Sequence, residues 1–160
     1  MGVVTLLLLL LIATPAFGQQ KSNAPNKEKL SFKTRQFINS HSVDFDTKGR
    51  CKAVDGILMR KWKVKSFPAL ISHFETCISV TSTTTSGMVN FELVIQDKRG
   101  HSISSVEGVM DLGDSGAASQ AVDWDHLEIP KAGVYYMQLV LQGKRIGKYK
   151  MVFTKAGKPR

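Results

Sequence analysis

Residues 89–96 read VNFELVIQ, and this stretch decides the fold expected of the chain. Every odd-numbered position is apolar, whereas Asn90, Glu92 and Gln96 are polar. Alternation with a period of two is typical of a β-strand that buries one face. The stretch therefore predicts a strand whose odd-numbered side chains face a core.

Three more segments repeat the pattern, and their apolar faces are Phe74, Thr76, Ile78 and Val80; Tyr135, Met137, Leu139 and Leu141; and Tyr149, Met151 and Phe153. Residues 142–145 are a short connection that contains Gly143, which predicts a hairpin between the last two strands. Residues 97–100 (DKRG) predict another turn. Further strands are expected at 50–55, 57–65, 103–112 and 120–128, and residues 30–38 fit either a strand or a short helix.

The whole pattern is that of an all-β protein, because no long stretch has an apolar period of 3.6 residues. About seven or eight short strands predict a single antiparallel β-sandwich of the immunoglobulin-like kind. The separation of the two cysteines, Cys51 and Cys77, is short for the inter-sheet bridge of antibody domains. The broader term, immunoglobulin-like, is therefore the one that the sequence favours.

Short motifs follow one another along this domain: VDFD, KGR, DGIL and SFP between residues 43 and 68, then DKRG, IPKAGVY and GK between residues 97 and 144. In this order they resemble uncharacterised bacterial immunoglobulin-like β-sandwich domains over about residues 43–153. The shared motifs are those of turns and strands. The resemblance implies a fold and carries no activity, cofactor or site with it.

The first eighteen residues have the pattern of a signal peptide. Residues 3–12 are apolar apart from Thr5, and Ala16-Phe17-Gly18 fits the small-x-small motif of signal peptidase, which predicts cleavage after Gly18. An uncleaved anchor is the alternative, although an apolar run of about ten residues is short for a membrane span. We expect a signal peptide (1–18), a flexible polar tether (19–29), the β-sandwich domain (30–155) and a basic tail (156–160). The protein would be exported, either periplasmic or secreted, with no transmembrane span after cleavage.

Cys51 and Cys77 are the two cysteines of the chain. In an oxidising compartment such a pair is expected to form a disulfide, with two free thiols as the alternative. Neither cysteine has another Cys or a His at a spacing that suits a metal site. No metal site and no cofactor is expected.

The formal net charge is +9, which favours anionic partners. The densest basic segment is 60–65, in which Lys61, Lys63 and Lys65 would share one face of a strand. It could bind phosphate or sulfate groups, or it could simply protect a sheet edge from aggregation. The binding residues predicted on this basis are Arg60, Lys61, Trp62, Lys63, Lys65, Lys144, Arg145 and Lys148. Trp124, in contrast, is expected to anchor the core.

Acidic residues concentrate in two places, Asp44, Asp46 and Asp55 early in the chain and Asp111, Asp114, Asp123 and Asp125 late. Such groups can bind Ca²⁺, but neither set matches the twelve-residue calcium loop, and Asp is also the ordinary residue of turns. His126 beside Asp125, with Ser115 nearby, suggests hydrolytic chemistry, yet there is no Gly-x-Ser-x-Gly motif. The four histidines show no local metal-binding spacing.

Three functions remain open at this point. The first is a non-enzymatic binding or structural accessory protein of the cell envelope whose partner is an anionic envelope component or another protein, with nucleic acid not expected. The second is a metal-dependent or hydrolytic enzyme that uses loop carboxylates around Asp111–Asp125. The third is an adhesin or chaperone-like subunit that adds a strand at a sheet edge. The sequence does not reveal the oligomeric state.

Overall fold

The structure, a computed structural model, describes residues 31–157. The predicted signal peptide, the tether and the end of the basic tail lie outside these residues. Ten β-strands and no helix are found within them: β1 Phe32–Ser40, β2 Val43–Phe45, β3 Cys51–Ala53, β4 Lys61–Val64, β5 Ala69–Ser82, β6 Met88–Asp97, β7 Ser102–Asp111, β8 Ala117–Ile129, β9 Gly133–Leu141 and β10 Lys144–Lys155. In this part of the chain no helix is long and apolar enough to cross a membrane.

Two sheets enclose one hydrophobic core, as expected for a β-sandwich. The smaller sheet has the strand order β1-β5-β8, and the larger has the order β4-β10-β9-β6-β7. Phe74 of the small sheet packs between Trp124 of its own sheet and Trp62 of the other, with ring centroids 6.0 and 5.9 Å away. Trp124 is 3% exposed, so the prediction that it anchors the core is confirmed.

The alternating segments fold as predicted. Val89, Phe91, Leu93 and Ile95 of β6 are all buried, and the inward faces of β5, β9 and β10 are the apolar faces read from the sequence. Residues 30–38, for which strand and helix were both possible, contain strand β1 from Phe32 onwards. Thr76 is also buried, although it is polar, because its hydroxyl donates a hydrogen bond to Asn39 Oδ1 at 2.7 Å.

Both predicted turns are present. Gln142 and Gly143 join β9 to β10 with positive φ angles of 47° and 74°, the geometry of a two-residue type I′ hairpin. In the turn after β6, Gly100 has a φ of 89° and its amide donates to the carbonyl of Asp97 at 3.1 Å. Gly is suited to such positions because it lacks the Cβ that disfavours positive φ.

Two expectations need correction. The sandwich is not wholly antiparallel, because β4 pairs in parallel with β10, with Trp62 opposite Phe153. The strand expected over 57–65 is also shorter, since only Lys61–Val64 pairs with another strand. Residues 57–60 form a loop instead. The Met59 amide donates a hydrogen bond to the Asn39 carbonyl at 2.7 Å, which attaches this loop to the end of β1. The strand expected over 50–55 is the short β3, and the two strands beyond the eight firmly expected are β1, for which a helix was also possible, and the short β2.

A disulfide between Cys51 and Cys77 fastens the β2–β3 hairpin to the outer face of β5. The two Cα atoms are 5.8 Å apart, and both residues are buried. The predicted bridge is therefore confirmed, and such bridges are typical of oxidising compartments. Cys77 lies on the opposite face of β5 from Phe74 and Ile78, so this strand buries both of its faces.

Candidate functional site

The basic segment 60–65 forms an edge of the larger sheet. β4 alternates, so that Lys61 and Lys63 are exposed whereas Trp62 points inward and is only 6% exposed. The indole of Trp62 stacks on Phe153 with ring centroids 4.8 Å apart and planes 18° from parallel. Trp62 was predicted to bind a ligand beside the lysines, but the structure places it in the core, where it holds the edge strand in position.

A groove opens where β4 begins. Because Lys61 is the first paired residue of β4 and lies opposite Val152, the preceding part of β10 has no β4 neighbour. The resulting cavity has a volume of about 410 Å³ and is lined by Phe37, Arg60, Lys61, Lys148, Tyr149, Lys150 and Val152. Four of these lining residues are cationic. None of the lining residues that the structure describes carries a carboxylate. We call this cavity the basic groove.

Aromatic rings lie beside two of the four cations that line the basic groove. The Lys148 Nζ lies 3.7 Å from the centroid of the Tyr136 ring on the neighbouring strand, and the Arg60 guanidinium lies 5.9 Å from the Tyr149 ring. Such cation–π contacts orient a long side chain without neutralising its charge. The Tyr149 hydroxyl donates to the Met59 carbonyl at 3.1 Å, and burial raises the pKa of this hydroxyl. Tyr149 therefore stays neutral, and the groove keeps its positive charge.

Three of the predicted binding residues, Arg60, Lys61 and Lys148, meet in this groove. The others do not. Lys63 lies further along β4 opposite Thr154, and Lys65 follows the end of that strand. Lys144 and Arg145 lie at the far end of β10, opposite Leu141 and Val140.

Lys150 was absent from the predicted set. The signal that would have found it is the alternation of β10, because Tyr149 and Met151 face the core and Lys148 and Lys150 therefore share the outer face.

Two of the three acidic residues early in the chain, Asp46 and Asp55, serve as turn residues, whereas Asp44 lies in β2. Asp46 Oδ1 accepts hydrogen bonds from the amides of Lys48 and Arg50, each at 2.9 Å, within the turn between β2 and β3. The Arg50 side chain also donates to Asp46 Oδ2 at 2.7 Å, and this contact lowers the pKa of Asp46. Asp55 Oδ1 accepts from the Ile57 amide at 2.8 Å in the same manner.

The late carboxylates do not converge with His126. Asp111 accepts a hydrogen bond from the Gly113 amide in the turn before β8. Asp123 lies six residues beyond the start of β8, about 20 Å along the strand at 3.3 Å per residue. Asp125 contacts His73 of β5 instead of its neighbour His126. Asp111 and Asp125 thus have separate hydrogen-bond partners, while Asp125 and His126 line a shallow cavity together with Glu128.

An exposed apolar loop precedes the basic groove. Val54, Ile57 and Leu58 expose 59%, 56% and 47% of their surface, although residues of this kind are usually buried. They lie within six positions of Arg60, on the loop between β3 and β4. Clustered exposed aliphatic side chains often mark an interaction surface. We call residues 54–58 the apolar loop.

Comparison with known proteins gives a family for the chain. Residues 40–154 match a family of unknown function, DUF6941. The chain belongs to this family. The DUF6941 match begins at the last residue of β1 and ends within β10, so it includes the apolar loop and the whole basic groove apart from Phe37. No curated protein matches the chain.

Solved structures match the chain at low identity. They include the alkylpurine DNA glycosylase AlkC of Pseudomonas fluorescens bound to DNA with an abasic site analog, with 10% identity and a TM-score of 0.47 over 78% of this chain. The others are a β-glucuronidase of Bifidobacterium dentium, with 14% identity and a TM-score of 0.37, and an immunoglobulin-like protein of Pseudomonas aeruginosa, with 9% identity and a TM-score of 0.39, each again over 78% of this chain. The chain spans 30% of the glycosylase, 17% of the glucuronidase and 97% of the immunoglobulin-like protein.

Proposed function

We propose that this chain is an exported, non-enzymatic protein with an immunoglobulin-like sandwich that binds an anionic component of the cell envelope in the basic groove. The observation that carries the proposal is the convergence of cations from two distant segments. Arg60 and Lys61 line the groove at the start of β4, and Lys148 and Lys150 line it from β10. Cations held together in a groove attract phosphate, sulfate or carboxylate groups more strongly than scattered ones.

Two features support export. The first eighteen residues have the pattern of a cleaved signal peptide. The Cys51–Cys77 bridge is of the kind that persists in oxidising compartments outside the cytosol. On this proposal the charge of the folded domain faces envelope lipids and glycans, and genomic DNA is not its partner.

The apolar loop favours a lipid surface among the anionic components. Val54, Ile57 and Leu58 expose aliphatic side chains directly before the cations of Arg60 and Lys61. An anionic bilayer offers the complementary pair of surfaces, since its headgroups attract Lys and Arg and its interface accepts short apolar side chains. A soluble polyanion would use the basic groove alone.

Sedimentation with vesicles tests the proposal. Chain 19–160 should bind vesicles that contain phosphatidylglycerol and should not bind vesicles of phosphatidylcholine alone, and the binding should weaken as salt rises. The double variants R60A/K61A and K148A/K150A should each lower the affinity about tenfold or more, because each basic residue near such a surface contributes about 1 kcal/mol.

The matched control is K98A/R99A, which removes the same charge from the exposed turn between β6 and β7. It should retain most of the affinity. If the control weakens binding as much as the groove variants do, net charge accounts for the binding and the proposed groove is wrong.

The variant V54S/I57S/L58S separates a bilayer from a soluble polyanion. It should weaken binding to the anionic vesicles and leave retention on heparin unchanged. Equal vesicle binding by this variant would rule out the lipid surface, and absence of binding to both vesicles and heparin by the native chain would overturn the anionic partner altogether.

A further inference from the structure

The outer face of the small sheet carries a cluster of metal-ligating side chains, remote from the basic groove. β5 and β8 are antiparallel here, with His73 opposite Asp125 and Glu75 opposite Asp123. One ligand atom from each of His73, Glu75 and Asp123 lies within 4.8 Å of the other two. An imidazole nitrogen and two carboxylate oxygens thus face one another across two neighbouring strands.

The two imidazole nitrogens of His73 contact different carboxylates at different distances. Nδ1 lies 2.8 Å from Asp125 Oδ1, a hydrogen-bond distance, whereas Nε2 lies 3.6 Å from Glu75 Oε1. The second separation is too long for a good hydrogen bond. It is close to the roughly 3.3 Å that separates two ligands of one tetrahedral zinc ion with bonds of about 2.0–2.1 Å. The Nε2 and Oε1 atoms therefore lie about as far apart as two ligands of one metal ion.

Ser42 and Val43, at the start of β2, contact the carboxylate of Glu75. The Val43 amide donates to Glu75 Oε2 at 2.6 Å, which turns the other oxygen, Oε1, towards His73. Oε1 has a weak contact with the Ser42 hydroxyl at 3.5 Å. Asp125 orients the His73 imidazole in a similar way. Such contacts from residues behind the ligands are usual in protein metal sites, where they fix the direction of each ligand.

We propose that His73, Glu75 and Asp123 bind a divalent transition metal of the zinc class, with Asp125 orienting the imidazole. The mixed ligand set favours such an ion, because imidazole suits zinc and Ca²⁺ prefers a larger set of oxygen ligands. His73 and Asp123 are exposed, so solvent can complete the coordination of the ion. The ion would join the central strand of the small sheet to its edge strand.

Calorimetric titration of ZnCl₂ into chelator-treated chain 19–160 tests the site. The expected result is saturable binding of one ion per chain. H73A and D123N should each weaken zinc binding at least tenfold, and D125N should weaken it about tenfold, the lower end of the range for residues that orient a ligand. CaCl₂ at the same concentration should not displace the zinc.

A second histidine–carboxylate pair provides the matched control. His101 Nδ1 lies 3.2 Å from Asp97 Oδ2, and among residues 31–157 this pair does not belong to a group of three metal-ligating side chains. H101A should therefore bind zinc as the native chain does. Absence of saturable binding by the native chain, or an equal loss in H101A and H73A, would overturn the proposal.

Thermal unfolding gives an independent readout, because a ligand that binds the folded chain raises the melting temperature. Zinc should raise it for the native chain and for H101A, and should not raise it for H73A, whose folding is checked by circular dichroism. A zinc-dependent rise of equal size in H73A would contradict the proposed ligands.

Discussion

Thr76 is the residue on which a buried chain of hydrogen bonds depends. Its hydroxyl accepts from Trp124 Nε1 at 2.9 Å and donates to Asn39 Oδ1 at 2.7 Å. Thr76 and Asn39 have no exposed surface at all, so water cannot replace either partner. A polar residue in an otherwise apolar strand face is thus explained by the partners that it connects.

Replacing Thr76 by Val should therefore lower the free energy of unfolding by about 1–3 kcal/mol, the usual cost of leaving buried polar groups unpaired. The side chain keeps its shape, so packing contributes little to the change. Chemical denaturation provides the measurement, and the exposed turn residue Thr47, replaced by Val, serves as control. A T76V chain as stable as the native one would show that the hydrogen bonds contribute no net stability.

Asp46 shows how a single ion pair sets a pH dependence. The Arg50 side chain lowers the pKa of this carboxyl, so the ionised form is favoured by folding. The resulting stabilisation is present above the ordinary pKa of Asp and is lost as the pH falls through the lowered value. Because the side chains are close to solvent, the effect belongs to the β2–β3 turn more than to the whole fold.

Replacing Arg50 by Met should raise the pKa of Asp46 towards the ordinary value for Asp. Carboxyl carbon NMR over pH 2–6, a range that brackets the ordinary pKa of about 3.9, measures it. The variant K48M, which leaves the Lys48 amide in place, should move this pKa less. An unchanged midpoint in R50M would show that backbone amides alone lower it.

At the scale of elements, the β2–β3 hairpin is too small to hold itself in place. Each strand has three residues, and two-stranded hairpins of this kind are marginally stable alone. The Cys51–Cys77 bridge and the contact from Val43 to Glu75 hold the hairpin against β5. The hairpin covers part of a face of β5 that would otherwise be exposed.

The variant C51A/C77A should lose roughly 3.5 kcal/mol of unfolding free energy, the loop-entropy value for about 26 residues. Denaturation curves compare it with the native chain, and a reducing agent should lower the stability of the native chain alone. If the reducing agent affects both chains equally, the bridge is not the source of the difference.

The strands that the sequence predicted well are those with one apolar face, such as β6 and β9, because a period of two is visible locally. The parallel pairing of β4 with β10 was not predictable in this way, since the pairing depends on two segments about 90 residues apart in the chain. The position of Trp62, in contrast, follows from a local signal, although Trp62 was predicted as a binding residue. Its neighbours are lysines, but the alternation that sends Lys61 outward sends Trp62 into the core.

At the scale of the whole molecule, the two candidate sites lie on different sheets. The basic groove belongs to the edge of the larger sheet, and the cluster around His73 belongs to the outer face of the smaller one. Both combine residues that are distant in the chain, which explains why local spacing did not reveal them. His73-x-Glu75 and Asp123-x-Asp125 each place two side chains on one face of a strand, but only the register of β5 with β8 brings the two pairs together.

The parallel pair also makes the edge of the larger sheet depend on the last strand of the described chain. β4 precedes β10 by about 90 residues in the chain. Trp62 therefore has no stacking partner until Phe153 of the last strand has been synthesised. Cys51 and Cys77 both precede β10 in the chain, and the loop closed by their disulfide contains β4. The final strand then completes the larger sheet by entering between β4 and β9. A chain that ends before residue 144 would therefore leave the edge of β9 unpaired and the indole of Trp62 without its stacking partner.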